Sequence, residues 1–191
     1  MSDERLSVLE RRVAALEARE QILALVTRYA VACDTHDMPT LGSLFAEDAE
    51  FDSPSGVMVA KGRDGILSMF AELFRIRGPA YHWTHDVIVD VDKSDSSQAT
   101  GVVYSHAETT PNGVVSLAAM RYQDVYRQEG GRWLFSRRCI SFLYYVPAME
   151  YLSGLNQSRR LVFGDQRLPA DYPERLQSWQ DFEDRGFRIV E

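Results

Sequence analysis

Four stretches decide the fold: YHWTHDVIVDV at residues 81–91, ATGVVYSHAETT at 99–110, VVSLAAMRYQDVYR at 114–127 and RWLFSRRCISFLYYV at 132–146. Each is rich in Val, Ile, Thr and aromatic residues, the composition of a pleated, half-buried surface. Three short segments separate them: Asp92-Lys93-Ser94-Asp95-Ser96, Pro111-Asn112-Gly113 and Glu129-Gly130-Gly131. Their Gly, Asn, Asp and Ser residues favour tight reversals and positive φ. Four long antiparallel strands are therefore expected.

The chain before residue 80 reads as mostly helical. Leu6, Leu9, Val13 and Leu16 fall at 3-4-3 spacing among Glu and Arg residues. This is the seam of a two-heptad coiled coil, too short to stand alone. A helix continues or restarts at Glu20 and runs to about Cys33. Asp34 to Pro39 forms a turn, with Pro39 at the start of a short helix that ends near Phe45. A strand over Ala49–Ser53 turns at Pro54-Ser55-Gly56, and Val57-Met58-Val59 is expected to pair back. A third helix covers Ile66–Arg75 and stops at Gly78-Pro79. Helices first and strands afterwards predict an α+β fold, a curved antiparallel sheet wrapped around a helical layer. In the tail, helices are expected over Met149–Asn156 and Pro173–Phe182. Trp179, Phe182 and Phe187 are costly to leave in water, so the tail should pack on the domain or on a neighbour.

Composition narrows the function. With 191 residues the chain can bury a substantial core. A net charge of −7 argues against binding to a nucleic-acid backbone, which needs clustered cations. The densest basic cluster, Arg132, Arg137 and Arg138, lies inside an expected strand. Two cysteines, Cys33 and Cys139, without a CxxC spacing, support neither a disulfide framework nor a zinc finger. No apolar run could span a bilayer or serve as a leader, so the cytoplasm is the expected compartment. The organisation reads as an N-terminal helix at 1–19 used as an oligomer contact, a domain at 20–146, and an extension at 147–191. A homo-oligomer, dimer or trimer, is expected.

Several motifs together resemble the SnoaL-like branch of the nuclear transport factor 2-like superfamily. They are Tyr29-Ala30-Val31-Ala32-Cys33-Asp34-Thr35-His36-Asp37 with Leu41 to Phe51, then Lys61-Gly62-Arg63-Asp64-Gly65-Ile66. His82-Trp83-Thr84-His85-Asp86-Val87-Ile88-Val89 and Gly130-Gly131-Arg132-Trp133-Leu134-Phe135-Ser136-Arg137-Arg138 follow. Their order spans roughly residues 20–146. The resemblance implies a cone-shaped, cystatin-like cavity. Within that branch it is similar to scytalone dehydratase, bile-acid 7α-dehydratase and hexachlorocyclohexane dehydrochlorinase. These carry an Asp–His dyad at the positions of Asp34 and His82, with a substrate-contacting Tyr or Lys at Tyr29. Arg137, four residues after Trp133, matches an Arg of the dehydrochlorinase site. Asp86 departs from the Asn often found four residues after the His.

The resemblance implies a cofactor-independent, dehydratase-like lyase that eliminates water from a small hydrophobic cyclic hydroxy-ketone, polyketide- or steroid-like. The charge, the lack of a long apolar run and the unsuitable spacing of His82, His85 and His106 speak against nucleic acid, membrane and metal. A carboxylate beside an imidazole orients it and stabilises its protonated form, which makes a general base. Alone, Asp34 also reads as a helix-ending turn residue and His82 as a core histidine. Strand parity puts His82, Thr84 and Asp86 on one side and His85 on the other. On the next strand, Tyr104, His106 and Glu108 share a face. His106 stands where relatives place a second polar catalytic group, and Tyr104 could donate a hydrogen bond to substrate. Only one of Arg137 and Arg138 can point inward. Trp83, Phe142 and Tyr144 are candidates to line a pocket for a ring-shaped ligand. Two other readings stay open: a ligand-binding or assembly protein of the same fold, and a structural subunit like the β subunit of ring-hydroxylating dioxygenases.

Overall fold

The computed structural model describes residues 3–185. One helix, α1 (Asp3–Asp34), opens the chain without a break at Glu20. It holds no Gly or Pro, and Ala, Leu, Glu and Arg dominate, all strong helix formers. Its second half buries Ile22, Leu25, Val26, Tyr29 and Cys33. Leu6, Leu9, Val13 and Leu16 of the first half remain exposed, Leu16 at 68%. After Asp34 the backbone reverses through His36 (φ 53°). Asp37 caps α2 (Met38–Ser43) by accepting the Thr40 N–H at 3.0 Å.

Then follow β1 (Phe45–Asp52), β2 (Ala60–Lys61), α3 (Arg63–Ile76), β3 (Tyr81–Val91), β4 (Gln98–Thr109), β5 (Ser116–Glu129) and β6 (Arg132–Pro147). The strand order is β2-β1-β6-β5-β4-β3, with β1 parallel to β6 and the other neighbours antiparallel. The protein is α+β, an open curved sheet with helices on one face. Three extra residues bend it: Asp86 in β3, and Ser136 and Leu143 in β6. Between the helices and the sheet lies an aromatic core around Tyr29. Its ring meets Phe45, Phe70, Tyr122 and Phe135 edge-on, at centroid distances of 5.8–6.2 Å. Such contacts add about 0.5–1.5 kcal/mol each beyond burial.

Two expectations need correction. Val57–Val59 does not pair back; Ala60 and Lys61 do, opposite Phe51 and Glu50. The Ser53 hydroxyl accepts the Met58 N–H at 3.2 Å, which lengthens the loop and delays the strand. The tail is also less helical than expected. The Met149–Asn156 segment is a 3-10 turn (Ala148–Glu150) and a short α4 (Tyr151–Gly154). A ribbon of β7 (Leu161–Phe163) and β8 (Gln166–Leu168) follows, and β7 adds to β6. The last helix, α5 (Gln177–Asp184), begins four residues after Pro173.

The tail nevertheless packs on its own domain. Arg160 donates to the Leu143, Gln157 and Tyr172 carbonyls and pairs with Glu174. Asp171, buried, accepts from the Phe142 N–H and the Ser55 hydroxyl. Trp179 and Phe182 of α5 are 43% and 53% exposed in the single chain. Phe187 lies outside the described residues.

Gly101 in β4 shows how tightly the sheet packs. A Cβ there would lie 2.8 Å from the Ile88 carbonyl oxygen and 2.9 Å from the Tyr126 ring. That ring is held by its hydroxyl, which donates to Asp124 at 2.8 Å. Gly101→Ala is expected to destabilise by about 1–3 kcal/mol. Gly65→Ala in α3, where a Cβ meets nothing within 4 Å, should be neutral or stabilise by up to about 1 kcal/mol. Urea unfolding of both variants checks the contrast.

Candidate active site

The α1 helix ends with Asp34 aimed at the first turn of β3. Asp34 Oδ2 accepts the His82 backbone N–H at 3.0 Å, and Oδ1 lies 2.5 Å from His82 Nδ1. Both side chains are largely buried, 8% exposed for His82 and 14% for Asp34. Two hydrogen bonds accepted by one carboxylate fix the imidazole's position and plane. With the carboxylate accepting, Nδ1 carries the proton and Nε2 is left with a lone pair. Among the described residues, Nε2 has no hydrogen-bond partner.

His82 forms part of the wall of a cavity of about 400 Å3 between α1, α3 and the sheet. That volume lies within the usual range of small-molecule sites. The wall is mainly apolar: Phe70, Leu73, Met120, Ile140, Phe142 and Val162 among others. Cys33, Tyr29 and Tyr122 form one polar side. Tyr29 and Cys33 stand one helical turn apart on α1 and both line this side. Burial holds both tyrosine hydroxyls well above their ordinary values and pushes the Cys33 thiol up to about 12. These groups are neutral donors, and Cys33 is not a thiolate nucleophile. Thr109 and Tyr145 meet at 2.7 Å on the opposite side.

The structure brings together Asp34, His82, Tyr29 and Phe142 and excludes the other expected site residues. Trp83, Tyr104 and His106 lie on the opposite face of the sheet. The β3–β4 register pairs His82 with Ala107 and Trp83 with His106, and directly paired residues share a face. Val103, Ala107 and Thr109, not Tyr104 and His106, therefore face inward. Trp83 is 55% exposed against Tyr81, His106 bonds His85 at 2.9 Å, and the Tyr104 hydroxyl lies 3.4 Å from that of Tyr172. Asp86, expected beside His82, is carried to the surface by its bulge at φ 45°. Tyr144 packs against Ala119, Val146 and Tyr151 outside the cavity. The extra residue Leu143 shifts the alternation, so Tyr145 follows Phe142 into the wall.

Arg137 points outward, paired with Asp52 at 2.7 Å. Arg138 points inward and is 1% exposed. Its guanidinium lies 4.1, 3.9 and 4.4 Å from the Tyr29, Tyr122 and Phe135 ring centroids. It pairs with the buried Asp124, with Nη2 donating to Oδ2 at 3.2 Å and Nε 3.2 Å from Oδ1. Arg138 does not reach the cavity surface; it sets a fixed positive charge behind the two tyrosines. Parity counted back from Phe142 through Ile140 to Arg138 carries the signal for this residue. Arg77 is a cavity residue that the sequence reading missed, since it follows a helix where no strand parity applies.

The chain belongs to the SnoaL-like domain family, whose model matches residues 14–139. Solved structures share the fold. One is hexachlorocyclohexane dehydrochlorinase LinA-type3 from Novosphingobium barchaimii, 19% identical over 71% of this chain and 93% of that one, TM-score 0.64. Another is a scytalone dehydratase-like protein from Novosphingobium aromaticivorans, 20% identical over 71% and 91%, TM-score 0.64. A third is an NTF2-like protein with a cystatin-like fold from the same organism, 26% identical over 82% and 99%, TM-score 0.59. No curated protein matches the chain. No helix among the described residues is long and apolar enough to cross a membrane.

The two arginines should differ sharply in stability. Asp124→Asn leaves Arg138 charged and unpaired in the core and is expected to cost about 3–5 kcal/mol. Arg137→Ala removes a surface pair and should cost less than about 1 kcal/mol. Urea midpoints of the two variants measure the difference.

Proposed function

We propose that the protein is a cofactor-independent lyase of the dehydratase type, using Asp34 and His82 as its general-base dyad. The observation that carries this reading is the doubly hydrogen-bonded His82 in the wall of an apolar cavity, with Nε2 free of hydrogen-bond partners among the described residues. The substrate is a cyclic hydroxy-ketone, polyketide- or steroid-like, whose rings lie against Phe70, Met120, Ile140 and Phe142.

His82 Nε2 takes a proton from the carbon next to the carbonyl. The C–H electron pair moves toward the carbonyl oxygen as the enolate forms. Tyr29 or Tyr122, both neutral phenols, donates a hydrogen bond to that oxygen. Arg138 strengthens this donation by its charge behind the rings. The enolate then expels the β-hydroxyl, which takes the proton held on His82 and departs as water, leaving a C=C bond. Asp34 keeps Nε2 in line and stabilises the imidazolium between the two steps. The same first step serves an isomerase or a dehydrohalogenase, and the fold shared with the dehydrochlorinase supports that as the second reading. The exposed Leu6, Leu9, Val13 and Leu16 stripe supports residues 1–19 as an oligomer contact.

Cyclic hydroxy-ketones can be screened by mass spectrometry for loss of one water. His82→Ala should lower turnover by about 10²–10⁴-fold while circular dichroism remains native. Asp34→Asn should fall in the same range. Full turnover in His82→Ala would remove the assignment and favour a ligand-binding role.

A further inference from the structure

One cation in the cavity wall, Arg77, has no counterion among the described residues. Arg77 follows α3, and its backbone is held in place. Its N–H donates to the Leu73 carbonyl at 3.1 Å, and it bridges to Pro111 of the β4–β5 turn. The Gly78 N–H donates to Thr110 and the Asn112 N–H to Ile76, which closes this turn over the end of the helix. The side chain packs on the Phe74 ring at 5.6 Å and enters the cavity wall. Its charge acts on the Cys33 thiol and the Tyr122 hydroxyl, lowering both against the effect of burial.

Arg77 Nη1 is buried and has no hydrogen-bond partner among the described residues. No described acidic side chain forms an ion pair with it, and no Asp or Glu lines the cavity. Asp34, the carboxylate beside the cavity at His82, is committed to that residue. A buried guanidinium nitrogen left unpaired is costly, and an arginine fork fits a planar carboxylate with two parallel bonds. Arg138 differs in having its own carboxylate, Asp124.

We infer that Arg77 is a substrate-recognition residue for a carboxylate, so the cyclic hydroxy-ketone of this cavity also carries a carboxylate group. The carboxylate anchors at Arg77 at the α3 end, the rings lie along the apolar wall, and the far side of the ring system faces His82. This rests on the reading of the cavity as a substrate site and adds the charge of the substrate to it.

The test uses two probes of the same shape, 2-naphthoate and neutral 2-naphthamide, with binding followed by calorimetry. Wild type is expected to bind naphthoate at least about tenfold more tightly than naphthamide, a difference of about 1.4 kcal/mol. Arg77→Met, similar in length and uncharged, should lose that preference while binding naphthamide as wild type does. The native circular dichroism of this variant and its retained naphthamide binding serve as the fold control. His82→Ala should keep the preference. Equal binding of the two probes by wild type, a preference that persists in Arg77→Met, or no naphthoate binding up to about 1 mM would each overturn the inference. If naphthoate selectivity depends on Arg77 while His82→Ala retains full turnover, the dyad reading fails and the carboxylate site stands. If selectivity is absent while His82→Ala is inactive, the reverse holds.

Discussion

The carboxylate of Asp34 holds two parts of the fold in one place. It ends α1, and through two acceptor oxygens it takes both the backbone N–H and the imidazole of His82 at the start of β3. A helix end and an edge strand are thereby joined at the wall of the cavity. A single bond would leave the ring free to tilt; the backbone bond fixes the carboxylate, and the carboxylate then fixes the ring. Everything proposed for the site depends on that orientation, because a base acts only along the direction of its lone pair.

Around this point the protein separates charge from apolar surface. The cavity wall carries aliphatic and aromatic groups, and burial keeps Tyr29, Tyr122 and Cys33 protonated. Arg138 lies beneath the tyrosine rings, held there by Asp124, so its guanidinium acts on them without meeting the ligand. Arg77 has no such partner among the described residues, and this contrast between two arginines carries the substrate inference.

The strands were legible because alternation and turn chemistry agreed over 66 residues, from Tyr81 to Val146. The pair Asp34 and His82 was legible through the family motifs, which preserve the order of residues that meet only in the folded chain. Which face of each strand turns inward was harder to read. On β4 the inward set is Val103, Ala107 and Thr109, and the charged Glu108 beside His106 marked the solvent face. The choice of Tyr104 and His106 gave weight to polar chemistry over that pattern. On β6 the extra Leu143 exchanged Tyr144 for Tyr145, and a bulge of one residue leaves no clear trace in composition. Arg77 was silent in the sequence because its place depends on the turn that closes over α3. The β7–β8 ribbon was missed because three-residue strands give too little alternation to read.

The tautomer of His82 decides whether it can act as the base. Long-range proton–nitrogen NMR at about pH 9, above the ordinary imidazole range, distinguishes the two ring nitrogens. The geometry requires the Nδ1–H form in the wild type, with Nε2 unprotonated toward the cavity. In Asp34→Asn one amide oxygen cannot accept both hydrogen bonds, and the amide N–H facing Nδ1 should turn the ring to the Nε2–H form. A wild-type His82 protonated at Nε2 would contradict the account, since no lone pair would then face the ligand.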